Sequence, residues 1–162
     1  MSLISILEAG RRDFLSATQD IVAAQASAKP ALGAWSVLEC IEHVVTVEGR
    51  YLDWIADGTS ITPQRDAEKE MRLFTMIRSR LTKVKTPEVF SPLGRFDSLA
   101  AVLAEFKTIR DRSVQVVQER GEGLYAIGAR HPRFGEMNGV ELVHLIDGHA
   151  RRHADQIREI CE

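Results

Sequence analysis

Asn138-Gly139-Val140-Glu141-Leu142-Val143-His144-Leu145-Ile146-Asp147-Gly148-His149-Ala150-Arg151-Arg152-His153-Ala154-Asp155-Gln156-Ile157-Arg158-Glu159-Ile160-Cys161 is the last strongly periodic stretch of this chain. Leu142, Ile146, His149, His153, Ile157 and Ile160 form one stripe at helical spacing. Asn138 is a good N-cap, and Glu141 three residues on completes a capping box. The pattern predicts a helix from Asn138 to Cys161 whose apolar face carries two imidazoles. Residues four apart on a helix have Cβ atoms about 5–6 Å from one another, so His149 and His153 are placed to grip one metal ion. A polar ring turned into a core costs stability unless it finds a partner. A metal is one such partner; a backbone carbonyl or a carboxylate is the plainer alternative.

The same period recurs upstream. Ser36 with Glu39 forms another capping box, predicting a helix to Ala56 that stops at Asp57-Gly58. Val37, Leu38, Ile41, Val44, Val45, Leu52 and Ile55 make its buried face, extended on one side by Val47 and Trp54. His43 lies just beyond, at the edge of that face. Glu48 falls near the middle of the apolar arc, an unusual place for a carboxylate. A first helix is expected from Ser2 to Ala26, carried by Leu3, Leu7, Phe14, Ile21 and Val22, with Gly10 as its weak point. Another runs from Asp97 or Ser98 to Arg120-Gly121. A shorter, highly charged helix is expected from Pro63, at the first helical position, to about Lys83. No stretch alternates convincingly enough to predict a strand, and Glu122–Met137 reads as a connection. Four long amphipathic helices and one extra short helix between the second and third give an all-α four-helix bundle, with residues 1–162 as one domain.

Composition narrows the function classes. The chain has 21 basic and 23 acidic residues and a net charge of -2, without the one-sided basic surplus of a nucleic-acid binder. Two cysteines, Cys40 and Cys161, make neither a disulfide framework nor a paired-Cys zinc motif. A reducing, cytoplasmic setting is expected. Met1–Gly10 carries Glu8 and no basic lead, so it reads as the start of a helix rather than a signal peptide. No apolar run approaches the roughly 20 residues that cross a bilayer.

A helical His pair supplies two ligands, whereas catalytic zinc takes three from protein and structural zinc four. Three other histidines remain. His144 falls on the polar side of its helix and is expected to be solvated. His131 sits in a loop before Pro132 and reads as a packing residue. His43 is left, on a different long helix. The zincin motif does not apply, because Ala150 stands where its general-base Glu is needed. Glu48 is read as an arginine-paired carboxylate, with Arg152 its natural partner, ahead of a catalytic base. Cys40 defaults to a small buried hydrophobe.

Three segments together resemble the DinB/YfiT-like superfamily of four-helix-bundle metalloenzymes. Trp35-Ser36-Val37-Leu38-Glu39-Cys40-Ile41-Glu42-His43 is similar to that family's opening of helix two. His131-Pro132-Arg133-Phe134-Gly135 is similar to the connection before the last helix in one branch. His149-Ala150-Arg151-Arg152-His153-Ala154-Asp155-Gln156-Ile157 matches that branch's His-x-x-x-His-x-x-Gln-Ile ending. The resemblance covers essentially the full chain. It implies a triad of His43, His149 and His153 holding a divalent ion, zinc or nickel, with other positions open to water or substrate. It also implies a cytoplasmic homodimer, and relatives that include thiol-dependent transferases and an isomerase. The implied chemistry is transferase or hydrolase, using a metal-activated water or low-molecular-weight thiol on a small-molecule substrate. Arg152 or Arg151 would bind an anionic group, and Glu48 would orient a ligand His or act as a base. The rival reading is a non-catalytic bundle that uses metal for stability or binds a partner. A shell closed by Cys40, Glu48 or His131 would favour that rival.

Overall fold

Ser36 Oγ accepts the backbone N–H of Glu39, and the Glu39 carboxylate accepts the N–H of Ser36 at 2.8 Å. This reciprocal cap starts α3, Val37–Ala56. In the computed structural model, which describes residues 1–162, three further long helices accompany it. They are α1 (Leu3–Thr18), α5 (Leu99–Arg120) and α6 (Gly139–Cys161). Ser98 caps α5, and Asn138 with Glu141 caps α6 in the predicted box. α6 packs along α1 and α3, and α5 along α3 and α1, giving a four-helix bundle. No helix is long and apolar enough to cross a membrane.

The first helix is shorter than its periodicity predicts. It ends at Thr18, whose hydroxyl turns back to the Leu15 carbonyl. Asp20 then takes φ 64°, a left-handed conformation that Asp tolerates better than most residues. A single turn, α2 (Ala23–Ser27), follows and seats the buried Ala26 against α3. Val22 is consequently exposed rather than part of an apolar face.

The extra helix, α4, spans Ala67–Arg78 rather than starting at Pro63. Asp66 caps it by accepting the Lys69 N–H at 2.8 Å, while the Gln64 carbonyl, still outside the helix, accepts Asn138 Nδ2. α4 lies against α6 through the buried Leu73 and Ile77, its other residues being exposed or half-buried. Gly148 permits this approach, because a Cβ there would overlap Ile77 and meet the Phe74 carbonyl at 3.1 Å. α6 is therefore covered on more than the one predicted stripe, and every residue from Gly139 to Ala150 is buried. His144 is buried with them, 3.5 Å from Glu70 of α4, where periodicity alone expects a solvated side chain.

Glu122–Met137 is not simply a connection. Ile127–His131 (β2) and Gly135–Asn138 (β3) form an antiparallel hairpin, with Gly128 opposite Asn138 and His131 opposite Gly135. Thr59–Ser60 (β1) joins its outer edge. Strands this short hold too few residues for an alternating pattern to register in sequence. The hairpin adjoins α3 and α6, with Met137 in the core.

Candidate metal centre

The bundle brings His43 of α3 against His149 and His153 of α6, all buried. One ligand atom from each lies within 4.8 Å of the other two. His149 Nε2 is 3.1 Å from His43 Nε2 and 3.2 Å from His153 Nε2. Trp35 packs against two of the rings, its centroid 4.8 Å from His43 and 6.3 Å from His153.

The outer nitrogens decide the proton count. His43 Nδ1 faces the Phe90 carbonyl at 2.7 Å, and His153 Nδ1 faces Gln156 Oε1 at 2.8 Å. Both partners are acceptors, so both Nδ1 atoms carry the proton and both Nε2 atoms present bare lone pairs. His149 Nε2 has at most one proton to share between them. At least one buried lone pair is thus left facing nitrogen with no donor, which costs about 1–3 kcal/mol if nothing satisfies it. Protonating the rings is disfavoured. Burial pushes the pKa of all three down, and their mutual proximity and Arg152 push the same way on His149. A cation is what such an arrangement fits: neutral imidazoles, the outer nitrogens of His43 and His153 already anchored, and ring nitrogens converging. Metal–nitrogen bonds of about 2.1 Å place neighbouring ligand nitrogens about 3.0–3.4 Å apart, in keeping with the observed separations.

No Cys, Asp, Glu or further His joins the cluster. Cys40 is buried one turn before His43, and burial pushes its thiol up to about 12, which keeps it protonated. His131 lies on β2 with a separate set of partners. Its Nδ1 accepts the N–H groups of Arg133 and Phe134, so its Nε2 donates to the Tyr51 hydroxyl at 3.0 Å. Tyr51 and Trp54 pack around that ring rather than around the triad.

Glu48 is paired with an arginine, but not with Arg152. Arg110 of α5 grips it through two bonds of 2.8 and 3.0 Å, and Ser113 adds a third at 2.6 Å. Both Arg110 and Glu48 are essentially inaccessible. Arg110 also donates to the Leu7 carbonyl and lies 3.6 Å from Asp147, so one guanidinium ties α1, α3, α5 and α6. Arg110 and Ser113 stand on the α5 stripe with Phe106 and Val117 at helical spacing, the signal that identifies them. Glu48 orients none of the ligand nitrogens: Phe90 and Gln156 occupy the outer positions of His43 and His153. Arg151 is bound to Asp147 at 2.8 Å, whereas Arg152 donates only to the Thr82 carbonyl.

Glu42 carries no sequence signal and is central to the geometry. Its buried carboxylate accepts the backbone N–H groups of Leu93, Gly94 and Arg95 at 2.9–3.1 Å, and Arg95 Nε at 3.0 Å. These bonds hold its pKa down against the effect of burial. The loop so fastened is the one whose Phe90 carbonyl fixes His43.

A family model described as the DinB superfamily matches residues 6–157. The chain belongs to the DinB superfamily. It is 22% identical over 134 residues to the uncharacterized protein YuaE of Bacillus subtilis, covering 83% of this chain and 82% of YuaE. Among solved structures it is similar to TT2238, a four-helix bundle protein, with TM-score 0.60 and 22% identity over 97% of this chain and 96% of that one. It is also similar to YfiT from Bacillus subtilis, with TM-score 0.61 and 14% identity over 98% of this chain and 83% of that one. YfiT is described as a probable metal-dependent hydrolase with an unusual four-helix bundle topology. Likeness at these identities carries the bundle architecture of this DinB chain, and the three-His geometry stands on its own residues.

Proposed function

We propose that this DinB-superfamily chain is a metal-dependent enzyme whose centre is His43, His149 and His153, acting as a hydrolase or thiol transferase on a small molecule. The observation that carries the proposal is the convergence of three buried imidazoles, two of them anchored through their outer nitrogens, with no fourth protein ligand. Three protein nitrogens and an open position are the pattern of catalytic rather than structural sites. The description of YfiT as a probable metal-dependent hydrolase on the same bundle is in keeping with this.

A divalent ion, zinc or nickel, would supply Lewis acidity there, bringing water or a low-molecular-weight thiol to its nucleophilic form near neutral pH. The chain's own residues do the rest. Phe90 and Gln156 hold the proton on the outer nitrogens of His43 and His153, keeping the inner lone pairs free. Trp35 covers two of the rings on one side and shields them from water. Arg152 follows His149 by one helical turn and stands ready for substrate.

The test is metal content of the purified, untagged protein by elemental mass spectrometry, with His149→Ala alongside and turnover of thiol and hydrolytic substrates measured before and after chelation. Near-stoichiometric zinc or nickel, lost in His149→Ala, with activity that follows the metal, is the expected result. Bound metal that only raises the melting temperature would identify a metal-stabilised binding module. Absence of uptake even with added ions would reduce the cluster to core hydrogen bonding.

A further inference from the structure

On the two helices that carry the three imidazoles, the carboxylates nearest them in sequence are already committed. Glu42 is held by Arg95, Glu48 by Arg110, Asp147 by Arg151, Asp155 by Arg158 and Glu159 by Arg80. Arg152 is left out of this pairing. It is the one partly buried arginine of the chain without a carboxylate within ion-pair distance. Its sole hydrogen bond runs from Nη2 to the Thr82 carbonyl at 3.2 Å, so Nε and Nη1 have no protein partner. It precedes His153 directly and follows His149 by three residues, which sets it beside the cluster on α6. Its charge bears on all three imidazoles. Arg133 also lacks a carboxylate, lies 5.0 Å over the Phe134 ring, and adds its charge to the same region, as does Arg80, whose ion-pair partner Glu159 is the carboxylate that acts on Arg152 from beyond ion-pair distance.

Burying part of a guanidinium without an ion-pair partner is unfavourable. Here the excess is concentrated at one place, next to a centre that would itself be positive when loaded. Fields of one sign in a cleft raise the local concentration of opposite charge, and the guanidinium fork matches the oxygens of carboxylates and phosphates. Arg151, the equal candidate by sequence, is excluded because Asp147 holds it.

We infer that the substrate of the three-His centre carries a carboxylate or phosphate group, received by Arg152 with Arg133 as the second cation. The inference rests on the proposed reading of the cluster as the working site, and it adds the chemical class of what enters. Arg152 acts as a substrate-binding residue; it takes no part in holding the metal.

The experiment is calorimetric titration of the zinc-loaded full-length protein with inorganic phosphate and, separately, with succinate. The panel is wild type, Arg152→Gln, Arg152→Lys, Arg133→Gln, and Arg12→Gln as an exposed, unpaired control. Zinc content is measured in every sample, and circular dichroism verifies folding. Saturable binding of at least one anion by wild type is expected, weakened about 10- to 100-fold in Arg152→Gln, less in Arg152→Lys and Arg133→Gln, and unchanged in Arg12→Gln. Zinc stoichiometry stays the same throughout. The relative strength of phosphate and succinate separates the two anion classes. The inference is overturned if zinc-loaded wild type binds neither anion, or if Arg152→Gln binds as tightly as wild type. If wild type takes up no zinc yet binds an anion through Arg152, the metal reading fails while the anion site stands.

Discussion

Glu42 and His43, adjacent in sequence, hold the same loop from two sides. The Glu42 carboxylate collects the N–H groups of Leu93, Gly94 and Arg95, while His43 Nδ1 donates to the Phe90 carbonyl at 2.7 Å. The first set of bonds positions the carbonyl that fixes the second. Glu42 is thus a positioning residue for His43. Partners of this kind change metal affinity about 10- to 100-fold when removed. Glu42→Gln is expected to weaken zinc binding in that range, measured by chelator competition, with stoichiometry still one. Unchanged affinity together with a lowered melting temperature would show that Glu42 serves the fold alone.

The Arg110–Glu48 pair is expected to matter for stability more than for chemistry. Removing one partner of a buried pair costs about 3–5 kcal/mol, because the other charge stays buried unpaired. Arg110→Met should approach that loss in urea unfolding. Arg110→Met combined with Glu48→Leu should recover much of it. Metal binding by the folded double variant is expected to persist, since Glu48 touches none of the three imidazoles. Loss of metal from a stable double variant would restore Glu48 to the centre.

Gly10 exists for Asp147. A Cβ at position 10 would overlap Asp147 Oδ1, a buried oxygen with no hydrogen-bond donor of its own. Gly10→Ala gains about 1 kcal/mol of helix propensity, but overpacking costs about 1–3 kcal/mol and displaces a carboxylate that Arg110 and Arg151 share. The expected net effect is destabilisation. The diagnostic is coupling: in an Asp147→Ala background Gly10→Ala should cost less, because the clash is gone. Additive effects of the two changes would contradict this account.

His131 gives the fold a pH dependence of predictable sign. Burial and Arg133 push its pKa from 6.5 to about 4. The unfolded chain therefore binds a proton at this residue between pH 6.5 and 4 that the folded chain refuses. Its contribution is complete above pH 6.5 and is lost as pH falls toward about 4, to a total of about 3 kcal/mol. Unfolding free energy of the metal-free protein, measured across that window, should fall more steeply for wild type than for His131→Gln. Parallel pH profiles would refute the assignment.

Much of this architecture is legible in the chain itself. The capping boxes at Ser36–Glu39 and Asn138–Glu141, and the apolar period behind them, set the start of α3 and α6 to the residue. Local hydrogen bonds and 3.6-residue spacing are properties of contiguous sequence, which is why they can be read there. The His149–His153 pair belongs to the same class, because one helix places both rings. The hairpin at Ile127–Asn138 and the break after Thr18 escape that reading. The first is too short to show a period, and the second depends on one left-handed residue, Asp20.

What tertiary structure alone decided are the pairings between distant segments. Sequence places Glu48 in a core but cannot choose between Arg110 and Arg152, since either choice depends on which helix faces α3. It cannot see that α4 covers His144, because burial of a polar face is imposed by a neighbour rather than by the helix's own pattern. It is silent on Phe90 and Glu42, whose roles run through backbone groups that every residue possesses. The sequence by itself determined which helices form and which two histidines share a face. The packing of α3 on α6 brought in the third histidine, the Phe90 carbonyl and Gln156 drew the protons of His43 and His153 to their outer nitrogens, and the folded chain left Arg152 without an ion-pair partner.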